Sequence, residues 1–309
     1  MKTSPVHSSK QNPHEGAWFS GRRLVIGIPY VWLILVFLIP FLIVLKLSVT
    51  DMSESSSPFG ALSSVENGML HIKIRLASYA FIAEDKLYLF TYLNSLKFAL
   101  VTTVLCLLIG YPFAYFMSRA KAEWRTMLMM LVMLPFWTSF LLRIYAWKGI
   151  LANNGLLNQL LLWLGVIDAP LAMMHTSFSL ALGMVYGYLP FMILPLYASL
   201  VKLDQRYLEA AADLGATPWK TFWLVTIPLS KSGIIAGSML VFIPCIGEYT
   251  IPELLGGPET LMIGRVLWDE FFINDDWPMA SAVTIVMLVL ILLPMAIFNK
   301  YQAKQEEGR

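Results

Sequence analysis

The chain has 309 residues, 58% of them hydrophobic and only 14% charged, with a formal net charge of +2. Soluble domains average about 45–50% apolar and about 25% charged residues. Together with a mean hydropathy of +0.66, this excludes an ordinary soluble globule, and the small net charge carries no message about nucleic acid.

Residues 1–23 form a polar N-tail with Lys2 and Lys10. The apolar run Leu24–Val49 is too long for a signal-peptide core and lacks a small-residue cleavage site, so it is predicted as a first span. Further stretches of about 20 apolar residues are Leu96–Met117, Met127–Trp147, Phe178–Leu200, Gly233–Pro252 and Met279–Phe298. The predicted fold is therefore an all-α, six-helix integral membrane domain over 24–298, followed by a C-tail over 299–309. Every span contains proline, which membrane helices tolerate and which often kinks them. Gly183/Gly187 and Gly233/Gly237 are small-residue pairs that permit close helix packing.

Between the first two spans, Leu70, Ile72, Ile74 and Leu76 alternate with His71, Lys73 and Arg75, a strand pattern preceded by the turn pair Asn67-Gly68. A short β element is expected there, either capping outer helix ends or touching a delivery protein. The leucine-rich stretch after Asn153-Asn154-Gly155 predicts a short amphipathic helix at the membrane interface, ended by Asp168 and Pro170.

Fourteen of the 22 basic residues fall in the N-tail, the connection carrying Arg119, Lys121 and Arg125, the loop 202–232, and the C-tail. The positive-inside bias assigns these segments, and both termini, to the cytoplasm.

Ionisable groups near the membrane point to function by default. Glu248, Tyr249 and Glu253 lie in GEYTIPELLGG at the outer end of the fifth span, and Arg143 lies near the end of the third. Pairing of Arg143 with either glutamate would make the charges structural. An unpaired glutamate facing water would instead coordinate a cation. The last outer loop carries Glu259, Asp269, Glu270, Asp275 and Asp276 against Arg265 alone, interleaved with Trp268, Phe271, Phe272 and Trp277. Carboxylates beside aromatic faces suit organic ammonium ions, although an acidic solvated loop has the same composition.

Cys106 and Cys245 sit in apolar segments as packing residues, and four scattered histidines make no metal spacing. No phosphate-binding glycine motif is present. Neither cofactor nor metal is expected, and no catalytic grouping is visible.

Leu208–Leu229 carries the most specific pattern. Ala, Leu and Glu favour helix up to Leu214; Gly215 can end it with positive φ; Thr217 can cap a second helix with Pro218 first. Glu209, Ala210, Ala211, Gly215, Val225, Ile227 and Pro228 stand at the spacing of the EAA loop, so the stretch resembles that of bacterial ABC importer permeases. The strings at 107–120, 134–151, 233–257 and 262–282 resemble the polyamine (putrescine and spermidine) branch of that family. The resemblance implies the type I importer permease architecture and a complex with a second permease subunit, an ATPase dimer and a periplasmic polyamine-binding protein. It also implies that ATP is hydrolysed on a separate chain and that Glu209, Ala210, Ala211, Gly215 and Pro228 receive the coupling. Glu248, Tyr249, Glu253, Trp268, Asp269 and Glu270 become candidates for the pathway of a polyamine, with Arg143 as an intramembrane charge partner. Other solutes (an amino-acid derivative, thiamine, a metal chelate) and a self-contained secondary transporter or membrane enzyme are the alternatives.

Overall fold

The computed structural model describes residues 21–50, 63–66, 69–72 and 75–307. The N-tail up to residue 20 and the Asn67-Gly68 turn lie outside these. The chain opens with α1 (Gly21–Leu33), a π-helical turn Ile34–Leu38 and α2 (Ile39–Leu47). A second π turn, Phe222–Thr226, precedes Ile227–Leu229. Pro40 and Pro228 explain both: each ring lacks an N–H and crowds the carbonyl four residues back, Val36 or Leu224, inside the widened turn.

A two-stranded antiparallel hairpin follows, β1 (Ser63–Glu66) with β2 (Met69–Ile72), pairing Ser63 with Ile72 and Glu66 with Met69. The predicted alternation to Leu76 overreaches, because Leu76 leads directly into α3 (Ala77–Glu84). Then come α4 (Lys86–Arg119), capped by Asp85 accepting from Leu87 N–H, α5 (Ala122–Met133), a 3₁₀ turn Leu134–Trp137, α6 (Phe140–Leu151), α7 (Leu156–Trp163) and α8 (Ser177–Leu200). The chain continues through α9 (Arg206–Asp213), α10 (Pro218–Thr221), the second π turn, α11 (Ile227–Leu229), α12 (Lys231–Ile246), α13 (Thr250–Leu255), a 3₁₀ turn Pro258–Thr260, α14 (Ile263–Phe272) and α15 (Trp277–Glu307).

Each of the six predicted apolar stretches lies on helix. Val25–Leu47, α4 and α8 are long and apolar enough to cross a membrane singly, and two bent pairs bring the number to five among the described residues. The apolar part of α15, Trp277–Leu293, is shorter. The third predicted span, Met127–Trp147, is not one straight helix. Pro135 tightens the chain into the 3₁₀ turn, Thr138 and Ser139 are extended, and the two arms meet at 87°. The fifth, Gly233–Pro252, breaks at Gly247–Tyr249, where Glu248 accepts the first free N–H groups of α13. The predicted short helix is α7, which ends at Trp163, before Asp168 and Pro170. There Gly165 adopts φ +66° while its N–H and that of Val166 satisfy the last carbonyls.

The core is the mutual packing of α4, α8 and α12, with Phe98, Cys106, Met184, Met192, Val241 and Cys245 buried at its centre. Both cysteines are free. A Cβ on Gly233 would stand 2.5 Å from Ser199 Cβ and 2.8 Å from the Pro195 carbonyl oxygen, so α8 and α12 touch backbone to backbone there. A smaller cluster of Ile82, Tyr88, Tyr92, Ile263, Val266 and Val283 joins α3, α4, α14 and α15. By contrast, the Val25–Leu47 helix buries none of its apolar window in the chain, which fits a lipid-facing span.

Gly233→Ala is expected to cost about 1–3 kcal/mol through overpacking. Gly149→Ala, with nothing within 4 Å of the added carbon, should be neutral or stabilising. Thermal unfolding of the detergent-solubilised variants checks the difference.

Candidate functional site

Helix α9, its bend and α10 form as the local residues dictate. Gly215 sits at φ +80°, Gly215 N–H reaches the Ala212 carbonyl at 2.8 Å and Ala216 N–H the Ala211 carbonyl at 3.0 Å, a closed helix terminus. Thr217 Oγ1 accepts from Lys220 N–H, with Pro218 as the first residue of α10. Leu208 and Ala211 pack inward, while Glu209, Ala210, Ala212 and Pro228 are exposed. Leu214 is 88% and Trp219 70% exposed, an apolar surface at the tip of the bend. A cleft of about 640 Å³ runs below it, lined by Lys202, Asp204, Tyr207, Leu229 and Ser232.

The stretch hangs between two of the three core helices, since α8 ends before it and α12 follows it. Ser230, the buried residue at the 66° bend, shares a 2.8 Å hydrogen bond with the Tyr111 hydroxyl of α4. The α9–α11 stretch is thus joined to all three core helices, to α8 and α12 through the chain and to α4 through this hydrogen bond.

The candidate charges separate into structural and available groups. Glu248 is committed: the Tyr188 hydroxyl donates to Oε2, and Oε1 accepts from Thr250 N–H (3.0 Å) and Ile251 N–H (3.4 Å). Glu270 accepts from the Tyr88 hydroxyl (2.6 Å) and Asn274 Nδ2 (2.9 Å), tying α14 to α4. Ser95 and Asn94 of α4 add a clamp on the same loop, accepting from Ile263 N–H and donating to the carbonyls of Glu259 and Leu261. Glu253 pairs with Arg265 at 2.7 Å. Sequence reasoning noted Arg265 but gave it no partner, and it missed Tyr188 and Tyr88. Buried tyrosines on neighbouring helices were the signal, because a buried hydroxyl needs an acceptor.

Arg143 pairs with neither glutamate. Its guanidinium lies over Phe136 (5.2 Å) and Phe140 (5.5 Å), and its buried Nε has no hydrogen-bond partner among the described residues.

The structure brings Tyr249, Glu253, Trp268 and Asp269 together. Tyr249 and Trp268 stack at 4.4 Å with 14° between planes, and Phe272 extends the stack at 4.1 Å. Beside them the Asp269 carboxylate has no hydrogen-bond or ion-pair partner among the described residues. Burial raises its pKa above the usual carboxylate range; Arg265 opposes this, and Glu253 and Glu270 add to it. Two carboxylates and one guanidinium leave a single net negative charge next to an exposed aromatic face. That arrangement can hold an organic cation. Among the described residues no His/Cys/Asp/Glu group could hold a metal ion.

Residues 22–305 match the family described as binding-protein-dependent transport system inner membrane component. The chain belongs to this family. As an inner membrane component of a transport system, it is a transport permease. Its relatives include the spermidine/putrescine transport system permease protein PotB of Haemophilus influenzae, 41% identical over 92% of this chain and 94% of that one. PotB of Escherichia coli is 44% identical over 69% of this chain and 78% of that one. The fold is shared with crystal structures of a bacterial ABC transporter importing the acidic polysaccharide alginate. One has TM-score 0.62 at 15% identity over 92% of this chain and 96% of that one. The second, in complex with an alginate pentasaccharide-bound periplasmic protein, has TM-score 0.63 at 17% identity over 91% and 96%. The permease is thus a multi-pass inner membrane protein of the ABC importer type.

Tyr188→Phe removes one hydrogen bond to the Glu248 carboxylate and is expected to cost about 1.5–3 kcal/mol. Glu248→Gln should lower stability comparably, because an amide cannot accept on both sides. Asp269→Asn, which has no such partners, should leave the unfolding temperature nearly unchanged.

Proposed function

We propose that the chain forms half of the translocation pathway of an ATP-driven polyamine importer, working with a second permease, an ATPase dimer and a periplasmic polyamine-binding protein. The observation that carries this reading is 41% identity along nearly the whole length of a spermidine/putrescine permease. Segments 1–23, 202–232 and 299–309 face the cytoplasm in this reading. The ATPase grips the exposed tip around Leu214 and Trp219 and pushes on Glu209, Ala210, Ala211, Gly215 and Pro228. Nucleotide binding biases a two-state element, and the α9–α11 stretch delivers that bias to α8 and α12.

On the other side, a delivered polyamine meets the Tyr249–Trp268 face and the Asp269 carboxylate. Charge pairing and cation–π contact act together on an ammonium group. Glu253 contributes through its pair with Arg265, whereas Glu248 and Glu270 hold the helices that carry the site.

Gly215→Val forces a β-branched residue to positive φ. Spermidine and putrescine uptake should be lost while the chain stays in the membrane, and ATPase stimulation by loaded binding protein should disappear. Normal uptake by that variant would remove coupling through this loop. Asp269→Asn with Trp268→Ala should lower uptake at limiting polyamine by about tenfold. Protonation of Asp269 removes its charge, and its raised pKa moves that loss toward neutral pH. Uptake should therefore decline on acidification at a higher pH than an ordinary carboxylate would give, and Asp269→Asn should flatten that decline.

A further inference from the structure

A cavity of about 820 Å³ opens between α6, α8, α12 and α15. Its walls are Phe136, Phe140, Gly187, Phe191, Leu240 and other apolar groups, and its one full charge is Arg143. The guanidinium rests on two phenyl rings, and Nε is buried without an acceptor among the described residues. Arg143 is half-buried with Nε buried and unpaired, so a counter-charge closing over the cavity would pair with it where water is excluded.

With α8 read as a membrane-crossing helix, the cavity falls near mid-depth. Tyr188, which also lines it, is the twelfth residue of the 24-residue helix α8, about 17 Å from either end at 1.5 Å per residue. Lipid phosphates lie at the membrane surface, about 15 Å from the midplane, so a headgroup does not reach. A polyamine is repelled by the same charge that needs a partner. A second copy of this chain has nothing to offer either. The apolar spans 25–47, 86–119, 177–200, 231–246 and 277–293 contain no aspartate or glutamate, and Glu123 in the first turn of α5 is the sole acid of the bent pair. Glu248 is already occupied by Tyr188 and the start of α13.

We propose that this cavity receives a carboxylate borne on a membrane span of a second, non-identical permease chain, which pairs with Arg143 at the subunit interface. The proposal rests on the two-permease reading above and adds which surface is buried and what chemistry the partner brings. It also gives a reason for assembly with a different chain: two copies of this one would bury two unpaired guanidinium groups.

The test uses the complex purified from native membranes through an affinity tag on this chain, with the second permease identified by mass spectrometry. Arg143→Gln should lower co-purification of that chain by about tenfold or more, while Arg143→Lys retains most of it. A photo-crosslinking residue at Leu240 should capture the second permease. Arg143→Glu should assemble again when one acid in a span of the second chain is changed to lysine or arginine. That compensating pair decides the matter if Arg143→Gln fails to insert. Unchanged co-purification of Arg143→Gln, crosslinks to lipid alone, or a loss of uptake with assembly intact would each overturn the proposal and leave the two-permease reading standing. A wild-type preparation holding no second, different membrane chain would take both down.

Discussion

The backbone contact between α8 and α12 is the constraint on which the other features depend. At Gly233 the two helices are too close for even a methyl group. Helices packed this tightly move together or not at all, because a close-packed interior does not absorb strain. The α9–α11 stretch runs from the end of one of these helices to the start of the other, and Ser230 fastens its last bend to Tyr111 of the third. In the proposed mechanism a push on this loop is passed to the whole three-helix core. Gly215 makes the bend possible, since it has open space around it and needs only the positive φ that side chains resist.

The acidic residues sort by what holds them. Glu248 and Glu270 are satisfied by tyrosines from α8 and α4, so they act as cross-braces between helices. Glu253 is balanced by Arg265. Asp269 alone among the candidate carboxylates keeps its oxygens free beside an aromatic stack. The proposed cation contact and the bracing of the helices therefore fall on different groups, so substitutions at one set leave the other readable.

Much of the α9–α11 stretch was legible in the sequence because every determinant is local: helix formers up to Leu214, glycine at the bend, Thr217 and Pro218 at the restart. The helical membrane class was equally plain from composition. What escaped the sequence was tertiary. Pro135 lies in an apolar run like the other spans, and only the extended Thr138 and Ser139 turn it into an 87° corner. Arg143 was read beside two glutamates as a possible partner; the fold gives one to Arg265 and the other to Tyr188. The alternation through Leu76 looked like strand, but from Ala77 the chain is helix, and α3 packs on α15.

The central claim is that this chain moves solute only when a separate ATPase acts on its α9–α11 stretch. Reconstitution into liposomes tests it most directly, comparing radiolabelled spermidine and putrescine accumulation by the chain alone with that by the full complex given ATP and loaded binding protein. The account predicts accumulation by the complex and none by the chain alone. Concentrative uptake by the isolated chain, with no hydrolase present, would contradict it.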